Sequence, residues 1–301
     1  MELQALHKLY FTTLDFKLKV TEKIILPPKL QKGYLLRQSL GNALHKTLGD
    51  EQIKKIWSNT LSEEEYKILK ISKEPPRGYV IEPPDTDKMK LDIQDTFSMR
   101  IILVGYMCDY ITQFINAVEY LGNNSGFGIT SLNGCGKFKI EKVLINGKTR
   151  RSKTGKYNPL SLKNIPEYNP GKQIKLNFIT PAEIKLSNNQ SRLLMNDNRD
   201  IPYFFVALYK RLTILQSIYC TGIFNEEVYS IIFNAAKEIE MDSRNIEKIN
   251  MKISGKQLIG FKGELLFYGN ILEFLPMLRL GEYLHIGTET VYGFGNYEIV
   301  S

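Results

Sequence analysis

A chain of 301 residues with 43% hydrophobic and 24% charged residues is globular, and it has the length for one large or two ordinary domains, each able to bury a core. Forty Lys and Arg against 32 Asp and Glu leave a net charge of +8, a moderate basic excess that suits a polyanionic partner without requiring one. Cys108, Cys135 and Cys220 are odd in number, far apart and without a CxxC pair, which excludes a disulfide framework and a zinc knuckle and fits a reducing cytoplasm.

The opening "MELQALHKLYFTTLDF" has an acidic second residue and no long apolar core, so no cleavable signal is expected. The run "LYFTTLDFKLKVTEKIILP" then predicts a long strand or hairpin, and "GYLLRQSLGNALHKTLG" an amphipathic helix with Leu36, Leu40 and Leu44 on its apolar stripe. "SMRIILVG" has strand length, "DYITQFINAVEYLG" is helix-like, and a glycine-rich stretch follows. Residues 146–172 are rich in Gly, Pro, Asn and Ser and carry seven Lys or Arg against Glu167, the pattern of a connector or of a strip that meets phosphates. The second half repeats the order with "QIKLNFITPAEIKLS", the helix "PYFFVALYKRLTILQSIY", the strand "GELLFYG" and the helix "NILEFLPMLRLG". Lys210 and Arg211 interrupt the most apolar run, so it is not expected to cross a membrane.

An internal repeat organises these elements. "LGNNSGFGITSLNGCGKFKI" at 121–140 aligns without a gap on "LGEYLHIGTETVYGFGNYEI" at 280–299, each position numbered 159 above its counterpart. Leu121, Gly122, Gly128, Gly134, Gly136 and Ile140 fall on Leu280, Gly281, Gly287, Gly293, Gly295 and Ile299, and Phe138 falls on Tyr297. Self-similarity at half the chain length means a duplicated domain. The expected architecture is α+β, two tandem ferredoxin-like (RRM-like) β-α-β-β-α-β domains at 1–147 and 173–301, joined by a basic linker at 148–172 and ending in a C-terminal glycine-rich loop.

A tandem ferredoxin-like chain that ends in G-x5-G-x5-G-x-G and an aromatic strand resembles the RAMP superfamily of CRISPR-associated proteins, and within it the Cas-six type. Supporting phrases are "GYLLRQSLGNALHK", "GYVIEPP" at 78–84, "SGFGITSLNGCGKFKIEKV" and "FITPAEIKL". The resemblance implies an endoribonuclease that cuts precursor CRISPR RNA within its repeats, leaving a 5′-hydroxyl and a 2′,3′-cyclic phosphate. It also implies RNA contacts at the C-terminal loop, so Gly287, Gly293 and Gly295 are expected to bare backbone N–H groups to RNA, and the earlier copy to serve packing between the domains.

Cutting RNA without a metal requires a group to deprotonate the 2′-hydroxyl, one to protonate the leaving oxygen and a cation for the phosphorane. Histidine is the usual proton carrier near neutral pH, and the chain has only His7, His45 and His285. His45 ends the first predicted helix, Lys46 follows it, and counting back in fours gives Gly41, which leaves space beside the ring, and then Arg37, about 12 Å away at 1.5 Å per residue. The resemblance places its catalytic histidine at this helix end, which makes His45 and Lys46 the catalytic candidates, with Arg37 on a flanking phosphate. His285, inside the glycine-rich loop, is the rival, and His7 is the least suited. Arg150, Arg151 and Lys153 of the basic linker are candidate RNA contacts. No carboxylate cluster has metal-ligand spacing, and no cofactor is expected. The expected partners are repeat RNA and other CRISPR effector subunits, for a cytoplasmic monomer or homodimer. The competing expectation is a non-cleaving RAMP-type subunit that holds a processed guide.

Overall fold

The computed structural model describes residues 3–57, 61–71, 74–150, 157–169, 171–186, 191–222 and 227–300. In the first unit, Phe11–Leu160, strict alternation along Leu14, Phe16, Leu18 and Val20 makes β1 (Tyr10–Val20) the central strand. β2 (Ile24–Ile25) leads to α1 (Lys32–Thr47), followed by α2 (Asp50–Trp57) and α3 (Glu63–Ile68), the last opened by a capping box between Ser62 and Glu65. Then come β3 (Tyr79–Glu82), β4 (Lys90–Leu91), β5 (Thr96–Val104), α4 (Ile111–Tyr120), β6 (Phe138–Ile145), β7 (Lys148–Thr149) and β8 (Leu160–Ser161). The sheet runs β3-β5-β1-β6-β7 with antiparallel pairs, and β2 pairs separately with β4. Counted along the β-α-β-β-α-β unit, its strands stand second, third, first, fourth. α1 and α4 pack beside each other and bury Leu36, Leu40, Leu44, Phe114 and Val118.

The second unit joins Ser161–Ser301 to the opening Met1–Tyr10. Its elements are β9 (Ile174–Ala182), β10 (Ile184–Lys185), β11 (Arg192–Leu193), α5 (Ile201–Tyr219), α6 (Glu227–Ala235), β12 (Ile239–Ile253), β13 (Lys256–Gly269), α7 (Leu275–Leu284) and β14 (Tyr297–Val300). The order β12-β13-β9-β14 is again second, third, first, fourth, so both units are ferredoxin-like and the α+β class holds. Phe178, Phe204, Phe205, Phe267 and Phe274 build its core, with Phe205 and Phe274 centroids 4.4 Å apart. No helix of the described residues is long and apolar enough to cross a membrane.

The two compact units divide at 160/161, inside the stretch 148–172 expected as a linker. Lys148–Thr149 pair with β6, and Leu3–Lys8 form a short 3-10 helix whose chain belongs to the second unit. The duplication extends to single hydrogen bonds. Thr21 and Glu22 N–H donate to the Lys137 carbonyl, as Ile179 and Thr180 do to Asn296. Phe127 N–H donates to Gly136 at 2.8 Å, as Ile286 does to Gly295 at 3.1 Å. Gly122 packs against Phe138, and Gly281 against Tyr297. The first glycine motif is anchored inside its own unit: Gly134 lies on the Ile25 side chain and Gly136 on the Lys23 carbonyl.

Candidate functional site

α1 ends where Thr47 turns its hydroxyl back to the Ala43 carbonyl at 3.0 Å and Leu48 becomes extended. Leu40, Ala43 and Leu44 face the core, which leaves His45 and Lys46 exposed on the last turn. Among the described residues neither side chain is engaged in a hydrogen bond or an ion pair. The space expected beside His45 at Gly41 is filled. α2 folds back so that the Trp57 indole lies on Gly41, where an added Cβ would come within 2.7 Å of the ring. The same indole carries the Arg37 guanidinium 4.6 Å above its centroid and stacks on Tyr79 at 5.5 Å. Arg77 holds the Trp57 carbonyl at 2.7 Å. The missing side chain at position 41 thus makes room for a ring that orients Arg37. A lone tryptophan one helix downstream was the available signal, and only the fold brings it there.

The second glycine motif is a compact loop between α7 and β14. Gly287, Gly293 and Gly295 have φ of 86°, 85° and 68°. A Cβ on Gly295 would overlap the Ile286 carbonyl, and one on Gly287 the Glu183 carbonyl, so the glycines let the loop close on itself and on β10. Its amides turn inward as well: Gly295 N–H donates to Pro181, Gly293 to Thr290, Thr288 to Glu183 and Asn296 to the Thr180 hydroxyl. These donors are therefore not turned toward RNA, contrary to the expectation for this loop.

Three side chains that the sequence reading left without a role hold this loop. Glu183, buried beside β10, accepts from Thr288 Oγ1 at 2.6 Å, Arg192 Nε at 3.0 Å and the Ile259 N–H at 3.3 Å, and pairs with Lys185 at 3.1 Å. Desolvation alone would raise its pKa, but the bonds from Thr288, Arg192 and Lys185 outweigh it and hold the carboxyl below the usual range. Arg211, buried mid-helix in α5, donates to the Leu284 carbonyl at 2.8 and 3.0 Å and to the His285 carbonyl at 3.1 Å. Burial lowers its pKa to about 10, so it remains a cation at neutral pH. Lys256 pairs with Glu289 at 3.4 Å, tying the end of the β12–β13 hairpin to the loop.

His285 is fully buried, not open to a ligand in the loop. Its Nδ1 lies 3.1 Å from the Phe294 carbonyl. Arg150 is half-buried after β7, while Arg151 and Lys153 lie outside the described residues. Among the described residues no group of three or more His, Cys, Asp and Glu is arranged to hold a metal ion.

Two family models match the chain. Residues 9–165 match AF_1859_N, described as an N-terminal domain, and residues 176–297 match the CRISPR-associated endoribonuclease Cas6. No curated protein matches. Among solved structures, a Cas6 product complex superposes with a TM-score of 0.59 at 14% identity, covering 98% of this chain and 100% of that one. Thermus thermophilus Cas6 gives 0.56 at 16% over 97% and 99%. A partial Cas6-RT-Cas1–Cas2 complex gives 0.64 at 15% over 97% of this chain and 46% of that chain. The tandem ferredoxin-like units with a terminal glycine-rich loop share their fold with these solved structures. Residues 9–165, more than half of the chain, place it in the AF_1859_N family, and residues 176–297 are similar to the CRISPR-associated endoribonuclease Cas6.

Proposed function

We propose that this chain processes precursor CRISPR RNA by cutting within its repeats, without a metal ion. The observation that carries the reading is the pair His45 and Lys46, both exposed and unengaged on the last turn of α1. In the proposed reaction a 2′-hydroxyl loses its proton to a base, its oxygen bonds to the adjacent phosphorus, and the bond from phosphorus to the 5′-oxygen breaks. The leaving oxygen takes a proton, so the products carry a 2′,3′-cyclic phosphate and a 5′-hydroxyl. His45 serves one of the two proton transfers, and the Lys46 ammonium offsets charge on the phosphorane. Arg37, oriented by Trp57, holds a flanking phosphate. The Gly287–Gly295 loop, bordered by Lys185, Arg192 and Lys256, is the proposed RNA cradle, to which Arg150, Arg151 and Lys153 add phosphate contacts. Burial excludes His285 from proton transfer in this reading.

The test is cleavage of labelled repeat RNA with protein in excess and EDTA present. Parent protein is expected to cut. His45→Ala is expected to cut ~10²–10⁴-fold more slowly while its RNA affinity at fixed salt stays the same. Activity restored only by a divalent ion, or a His45→Ala variant at the parent rate, would discard the mechanism. Parent protein that binds repeat RNA tightly and never cuts it would favour a guide-holding subunit.

A further inference from the structure

His285 and Gly126 occupy equivalent positions in the two glycine motifs and share one backbone conformation, φ 61° and ψ 174° at His285, φ 74° and ψ 171° at Gly126. That region is adopted almost only by glycine, because a Cβ there crowds its own backbone. The second motif thus carries a side chain where the first has none, and several contacts hold it. The His285 amide donates to the Gly281 carbonyl at 2.8 Å, and its own carbonyl accepts from Arg211 Nε at 3.1 Å. Because the Phe294 carbonyl can only accept, the hydrogen bond at 3.1 Å assigns the ring proton to Nδ1. The ring is fully buried. Arg211 also binds the Leu284 carbonyl twice, so a single guanidinium closes the end of α7, where cations are favoured.

We propose that His285, backed by Arg211, is a positioning residue for RNA binding: it locks the neck of the glycine-rich loop by bonding across it to Phe294. This rests on the reading of that loop as part of the RNA cradle. Both motifs share one backbone bond at the neck, Ile286 to Gly295 here and Phe127 to Gly136 in the first, where Gly136 also donates back to Phe127 at 3.1 Å. Next to that bond the first motif has a thiol contact, Cys135 Sγ to the Ser125 carbonyl at 3.4 Å, where the second has the imidazole. A buried, strained residue is retained only where its surroundings hold it, and the benefit of holding it here is a loop with one conformation. Affinity for a ligand falls in proportion to the fraction of protein in the competent conformation, so a locked neck keeps that fraction near one.

Three substitutions separate this role from packing. His285→Gly accepts the backbone without strain but loses the tie, so the variant is expected to melt within a few degrees of the parent. Its amides from 286 to 295 should exchange faster, and it should bind labelled repeat RNA about tenfold more weakly. His285→Asn keeps a side chain in the same strained backbone region as the parent and can offer an amide N–H to Phe294, so affinity should return to within about threefold of the parent. His285→Ala keeps the strain and loses the tie, and should melt below the glycine variant, the reverse of the usual order. A folded His285→Gly protein that binds RNA as the parent does, or an asparagine variant as weak as the glycine one, would overturn the proposal. Parent protein that fails to bind the repeat RNA at all would instead overturn the RNA reading of the loop, a result that no behaviour of the variants imitates.

Discussion

The two glycine motifs share a scaffold and differ in chemistry. Each closes its neck with the same backbone bond, each turns back with a second one (Asn133 to Thr130, Tyr292 to Glu289), and each is gripped by the end of its unit's first strand. The first then rests on apolar side chains, with Gly134 against Ile25. In the second, Glu183 stands in the position of Ile25, His285 in that of Gly126 and Glu289 in that of Thr130, and the loop acquires a buried carboxylate, a buried imidazole and an ion pair. Glycine spacing therefore specifies the shape of the loop, and a few substitutions inside that shape specify what it carries. The second motif thus holds a buried carboxylate in contact with two cations where a loop of the same form in the first unit folds without one.

The largest expected effect tests the shared scaffold. A valine at Gly136 or Gly295 would place its Cβ on the carbonyl of Lys23 or Ile286. Each substitution should destabilise its unit by roughly 3 kcal/mol or more through overpacking and backbone strain, read by denaturant unfolding. Only Gly295→Val should also abolish RNA binding. Tolerance of valine at either site would break the claim that the glycines are there for close approach.

Glu183→Gln sharpens the chemical difference. Removing the charge while keeping the shape should cost roughly 1–3 kcal/mol at neutral pH. The parent carboxyl titrates below its unfolded value, so its contribution is complete above the ordinary glutamate pKa of about 4.3 and fades as pH falls through the lower folded value. Chemical unfolding of the two proteins should converge below about pH 4. A gap between parent and variant that stays constant to lower pH would show that the carboxylate is not what ties Thr288, Arg192 and Lys185 together.

The smallest effect concerns Tyr297, whose hydroxyl donates to the Leu278 carbonyl at 2.8 Å, whereas Phe138 at the equivalent position has no hydroxyl. Tyr297→Phe should cost about 1 kcal/mol in thermal unfolding and leave RNA affinity untouched. A change in affinity would mean that the α7–β14 contact governs the loop more directly than its neck does.

The duplication, the order of strands and helices in each half, and the place of His45 and Lys46 at the end of α1 were legible in the sequence. They depend on local periodicity and on glycine positions, which a chain expresses without reference to distant residues. The assignment of the opening residues to the second unit was not, because it depends on contacts with residues far along the chain. Gly41 reads as open space until α2 brings Trp57 onto it, and Arg211 reads as an interruption of an apolar helix until α7 presents two bare carbonyls to it. His285 reads as a loop residue open to RNA, and the fold buries it. A side chain's burial and partners are set by elements that meet only after folding, and a buried charge or a strained backbone is stable only where those partners have arrived. Tertiary structure alone therefore decided which candidate faces outward, as His45 does, and which is held inside, as His285 is.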